Sequence, residues 1–133
     1  MKLLKSFVGF FLFLILLSCN FFPQTKNVEK YQFISPVPGS SFHLPETGII
    51  IRQGEYIDGA TINNYKLEVS GSINGNHKGE LILSTDQKTL IFKQFIPFEA
   101  GERVKVTLNK GISTKSGVEL EPFIFLFKIS GQV

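Results

Sequence analysis

Cysteine is almost missing from this chain: Cys19 is the only one in 133 residues, so no disulfide can form within it. Histidine is nearly as scarce, and His43 and His77 alone cannot build a tetrahedral Cys/His metal cluster. Asp58 and Asp86 are the only aspartates, and neither lies in the alternating Asp/Asn loop that calcium requires. There is no Gly-x-Ser-x-Gly elbow, and both histidines fall in expected turns, so a nucleophile with its base and orienting partner is not in view. A phosphate-cradling glycine loop is missing too; the glycines sit at turns. Neither sign of charge dominates, with 14 Lys and Arg against 11 Asp and Glu, so the composition names no nucleic-acid partner. After Leu17 no apolar run is long enough to cross a bilayer. These absences point away from an enzyme and from a cofactor.

What is present begins with Lys2 and Lys5, followed by the apolar run Phe7 to Leu17 and then polar Ser18 and Asn20. A charged start, a short apolar stretch and a small-residue exit are the three parts of a secretory signal. At about 1.5 Å per residue the run covers roughly half of a ~30 Å hydrocarbon core, too little for a permanent span. Leu16-Leu17-Ser18-Cys19 resembles the bacterial lipobox. That resemblance implies cleavage before Cys19, a diacylglycerol on its sulfur and a membrane partner reached through that lipid. An ordinary signal with an incidental free cysteine is the alternative. Residues 1–18 are therefore expected to be a lipoprotein signal peptide, 19–30 a lipidated tether and 31–133 the folded domain. In lipoproteins of the Gram-negative enteric type an Asp after the cysteine often marks inner-membrane retention, so the resemblance, with Asn20 there, implies the outer membrane or cell surface over the inner membrane. Loss of Lys2 and Lys5 leaves 14 − 2 = 12 basic residues against 11 acidic, a net charge of about +1.

From Tyr31 onward, short apolar runs of period two alternate with Gly, Pro, Asn and Asp, and no 3.6-residue stripe is sustained. Strands are expected at 31–34, 47–53, 64–70, 80–84, 89–93, 103–108 and 123–129. Seven short strands with turn signals between them predict an all-β, seven-stranded Greek-key sandwich behind the signal and a short linker. Eight of the 14 phenylalanines fall in this domain: Phe33, Phe42, Phe92, Phe95, Phe98, Phe123, Phe125 and Phe127. Without a disulfide, their burial is expected to carry the stability, at about 1.5–3 kcal/mol per large side chain.

Ser35-Pro36-Val37-Pro38-Gly39-Ser40, then Gln53-Gly54-Glu55-Tyr56-Ile57-Asp58-Gly59-Ala60-Thr61, then Ser84 to Phe92 and Phe98 to Leu108, resemble in order the motifs of S-layer-type bacterial immunoglobulin-like domains. Glu55, Ile57, Asp58 and Thr61 match the most recognisable motif, while Gln53, Gly54 and Tyr56 replace its usual Phe, Ser and Pro. Gly111-Ile112, Gly117, Leu120, Phe123, Phe125 and Phe127 complete the likeness, which covers about Ser35 to Ser130. The resemblance implies an Ig-like spacer, adhesive or accessory module with no shared catalytic residue to transfer. Asp58 reads as the cap of a single helical turn.

One strand departs from simple alternation. Phe123 to Ile129 is apolar on both faces, so Ile124 and Leu126 should point outward, joined by Ile50 and Ile91 on outer sheet surfaces. Either neighbouring residues cover them, or they form a docking patch for a partner or second copy. On the second reading, Leu126→Asp would keep the fold and abolish any oligomer. The leading expectation is thus a non-enzymatic, lipid-anchored Ig-like module of the bacterial envelope, structural or adhesive. The alternative is a small binding protein that takes a glycan or peptide at its loops, with Gly71 to Lys78 the best loop. Tyr56 and Tyr65 could add aromatic surface there, although Tyr65 is expected to fill the core.

Overall fold

The computed structural model describes residues 25–132, so the expected signal peptide, Cys19 and residues 20–24 lie outside the described residues. Eight strands form: β1 Phe33–Ser35, β2 Ile49–Arg52, β3 Leu67–Gly71, β4 Gly75–Asn76, β5 Gly79–Leu83, β6 Thr89–Gln94, β7 Arg103–Leu108 and β8 Phe123–Lys128. The seven expected strands are all present, and β4 is an eighth that pairs with β3 through Ser70–Asn76 and Gly71–Gly75. They make two antiparallel sheets, in the orders β1-β2-β6-β5 and β4-β3-β7-β8. Pairing β2 with β6 and β3 with β7, each distant in sequence, is the Greek-key layout of an Ig-like sandwich with one added short strand. Among the described residues there is no α-helix, only single 3₁₀ turns at Val28–Lys30, Gly59–Thr61 and Asn64–Lys66.

Alternation decides which side chains meet between the layers. Val104, Val106 and Leu108 of β7, Leu90 and Phe92 of β6, and Phe123, Phe125 and Phe127 of β8 are all buried. Along β8 the rings form a chain of edge contacts: His77 to Phe98 at 4.7 Å, Phe98 to Phe127 at 5.8 Å, and Phe123 to Tyr31 at 4.9 Å. Edge-on rings place positive ring edges on negative faces, each pair adding about 0.5–1.5 kcal/mol beyond area burial. Gly79 lets this core close: a Cβ there would meet the Phe92 ring and the Lys93 carbonyl, both at 2.4 Å.

Three expectations need correction. Phe33, Phe42 and Phe95 lie on the surface, so five of the eight domain phenylalanines build the core. Phe33 faces outward on the edge strand β1, and Phe42 and Phe95 lie in loops, where no facing sheet can cover them. Residues 64–66 form a 3₁₀ turn in place of the start of a strand, because the Asn63 side chain accepts the Tyr65 amide at 3.0 Å. Residues 26–30, expected within the tether, meet the sandwich instead. Lys26 pairs with Ile124 of β8, and Val28 packs against the core.

That pairing begins the cover over the outer edge of β8, which would otherwise present unpaired amides and carbonyls. Farther along, Gly39 donates to the Leu126 carbonyl, Lys128 to Ser40 and Ser130 to His43, while His43 bridges Ile129 in parallel. The chain therefore enters along β8, crosses to form β1, and returns to β8.

Candidate functional site

The four residues of the expected docking patch do not come together. Ile50 of β2 lies beside Ile91 of β6, which lies beside Ile82 of β5, forming one row on the outer face of the first sheet. Ile82 belongs to this row and escaped sequence reasoning, although Leu81-Ile82-Leu83 is also apolar on both faces. Ile124 and Leu126 lie on the outer face of the second sheet, half-buried, beside Thr107 and Lys105. The covered edge of β8 shades both of them.

Two loop clusters gather the titratable groups. Glu102, in the turn before β7, is 0% exposed and has four donors. Its Oε1 accepts from His77 Nε2 at 2.9 Å and from the Glu99 amide at 3.2 Å. Its Oε2 accepts from the amides of Ile73 at 3.1 Å and Asn74 at 2.8 Å. Burial pushes this carboxyl up, but the Asn74, Glu99 and Ile73 amides and His77 outweigh it and hold the group below the usual carboxylate range. A carboxylate has about four acceptor positions, so none is left to take a proton from a substrate. Gly71 makes the approach feasible, since a Cβ there would meet Glu102 Oε2 at 2.0 Å. The Gly71 to Lys78 loop, expected as a recognition loop, is thus a hairpin pinned from beneath. The sequence hides this role because Glu102 sits in a polar turn that reads as solvated.

The other cluster is Ser40 Oγ with His43 Nε2, 2.6 Å apart. The serine hydroxyl donates to the Val37 carbonyl, so its one proton is committed and Nε2 must donate to Oγ. A nucleophilic serine needs the opposite polarity, with the imidazole accepting. Asp58 caps the Gly59–Thr61 turn through the Ala60 amide, as expected. Asp86 turns the chain between β5 and β6, accepting from the Lys88 amide, Thr89 and Arg52, which hold its carboxyl low.

A groove of about 740 Å³ lies at the open side of the sandwich, between β3/β4 and β5. Asn63, Asn64, Glu68, Asn76, Lys78 and Glu80 supply its polar lining. Tyr65 and Phe95 also line it and are 86% and 69% exposed, so Tyr65 is not the core residue expected. The Asn63-capped turn throws Tyr65 outward, and Asn64 Oδ1 accepts the Leu81 amide at 3.0 Å, tying the two lips together. Tyr56, the other expected aromatic, lies at the opposite loop end under Lys88 and Lys115, 4.6 Å and 5.7 Å from its ring centre.

Among the described residues no group of three or more His, Cys, Asp and Glu could hold a metal ion, and the imidazoles engage Glu102 and Ser40 separately. No described helix is long and apolar enough to cross a membrane.

No family model matches the chain, and no curated protein matches it. Solved structures resemble it. The S-layer protein rSbsC superposes on 70% of this chain with a TM-score of 0.55 and 16% identity, and the chain spans only 13% of that protein. The N-terminal part of the bacterial S-layer protein SbsC gives 0.55 at 14% identity over 70% of this chain and 24% of its own length. PcoC, a copper resistance protein from Escherichia coli, gives 0.57 at 14% identity over 75% of this chain and 98% of its own length. CopC from Methylosinus trichosporium OB3b gives 0.53 at 13% identity over 75% and 91%. The likeness to the copper resistance protein carries no chemistry over to this chain. At these identities the likeness is one of fold, a sandwich of two antiparallel sheets.

Proposed function

We propose that this chain is a non-enzymatic, lipid-anchored module of the bacterial cell envelope, exported and held at the outer membrane or cell surface through Cys19. One observation carries the reading: the lone cysteine falls in Leu16-Leu17-Ser18-Cys19, directly after a short apolar run with a charged start. The domain supports it, because its buried carboxylate and both imidazoles are committed to holding loops. The likeness to S-layer domains agrees with a structural or adhesive role. Fractionation of cells expressing the full chain tests the anchor. Wild-type protein should sediment with membranes and leave them only in detergent, and Cys19→Ala should stall as precursor or appear soluble. Equal membrane attachment and processing of the two forms would refute the anchor.

The groove favours a second reading. Exposed Tyr65 and Phe95 can stack on the C–H face of a sugar ring, while the planar amides of Asn63 and Asn76 and the Glu68 and Glu80 carboxylates meet hydroxyls. A glycan arranged along this groove would make the module an adhesin. Binding to purified envelope polysaccharide should fall at least tenfold in Tyr65→Ala and Phe95→Ala; a polysaccharide bound equally by both variants would place recognition elsewhere.

A further inference from the structure

The overall charge of about +1 conceals an uneven distribution. On the outer face of the second sheet, Arg103 of β7 lies directly opposite Lys128 of β8, and Lys105 lies opposite Leu126. Lys26, paired with Ile124, projects onto the same face, since residues opposed in a ladder share a side. Four of the 12 cations that remain without Lys2 and Lys5 therefore share this face, with Glu68 of β3 as the one carboxylate along its ladder rows. The rest of the domain, with eight cations and ten acids, is net negative. Like charges placed directly opposite across strands repel, so the Arg103–Lys128 pair gains nothing from folding. Two half-buried apolar side chains, Ile124 and Leu126, lie among these cations, each beside a shallow hollow; Lys110 rims the one at Ile124. The chain arrives at this same face: Lys26 is hydrogen-bonded to Ile124 and stands only seven positions after Cys19. At 3.3–3.6 Å per residue those seven steps reach at most about 25 Å.

We infer that the outer face of the β4-β3-β7-β8 sheet docks on an anionic, phosphate-bearing lipid surface, so that the domain lies flat on its own membrane. The inference rests on the anchor at Cys19. A lipid there keeps Lys26 within about 25 Å of headgroups, and the four cations then meet phosphates while Ile124 and Leu126 approach the interface. Each cation near an anionic surface adds about fivefold to the association, an effect that salt removes. Docking this face turns the Ile50–Ile91–Ile82 row of the opposite sheet away from the membrane.

Lysine-acetylation footprinting tests the orientation. Full-length protein extracted from envelopes is reconstituted into phosphatidylcholine vesicles with and without one-third phosphatidylglycerol, and each lysine's reactivity is read by mass spectrometry. Lys26, Lys105 and Lys128 should become at least threefold less reactive in the anionic vesicles and recover in high salt, while Lys88 and Lys93 stay unchanged. The double variant Arg103→Glu, Lys128→Glu should restore Lys105 to its neutral-vesicle reactivity without releasing the protein. The intact mass of the same sample reports the acyl chains. An unacylated Cys19 overturns the anchor and this inference with it. Acylated protein with the same footprint in both vesicles overturns the inference alone, as does protection in both that tracks protein density, which would mark a second copy.

Discussion

A carboxyl group without solvent contact ordinarily takes up a proton, because burial penalises its charge. Glu102 keeps its charge because four donors converge on it, and this sets the behaviour of the loop end. Glu102→Leu should destabilise the domain by about 3–5 kcal/mol, since it strands buried amides and His77 without an acceptor. Thermal melting should register this as a fall of more than about 12 °C. The pH dependence follows in sign. The folded state holds the Glu102 proton less readily than the unfolded chain, whose value is near 4.5. Its contribution is therefore present above that value and is lost as pH falls through the lower folded value. Denaturant melts from about pH 6 to pH 3 should show wild-type stability falling more than that of Glu102→Gln; parallel profiles would contradict the assignment. Among the aromatics, Phe125→Ala should cost about 3–5 kcal/mol, while Phe42→Ala stays within about 0.5 kcal/mol. The sequence does not separate these two phenylalanines by type, only by context. Phe125 alternates inside a strand, whereas Phe42 stands in a loop with a left-handed backbone, φ 66°.

Strands were legible wherever alternation or an unbroken apolar run extended over five or six residues, as in Arg103 to Leu108 and Phe123 to Ile129 respectively. β4 was not, because Gly75 and Asn76 carry no apolar signal and pair only through a turn that Glu102 holds. The cover on β8 was equally hidden. Its partners, Lys26, Gly39, Ser40 and His43, are polar or small and meet β8 across about 90 residues of chain. Hydrogen exchange gives this element its test. The Lys128 and Ser130 amides, bonded to Ser40 and His43, should exchange as slowly as amides within β7. Exchange within seconds would mean that the returning segment does not hold this edge.

At the scale of the molecule, the fold was readable early while the sites were not. The fold follows from strand order and turn spacing, but Tyr65 and Phe95 share a groove only because β3 and β5 close from different sheets. The basic face is likewise a product of register: Lys26, Arg103, Lys105 and Lys128 are dispersed in sequence and collected by pairing. Composition, which averages over both faces, shows only a small net charge. The domain then has a basic sheet face, an opposite sheet with an isoleucine row, and a groove along one side. Each of these roles depends on where the chain is fixed.

Intact-mass and peptide analysis of the protein purified from envelopes in detergent tests that fixing point most directly. The account predicts a mature chain whose first residue is Cys19, heavier by a diacylglyceryl group on its sulfur and by any acyl group on its amine. A chain that retains residues 1–18, or one that carries an unmodified Cys19 thiol, would contradict it.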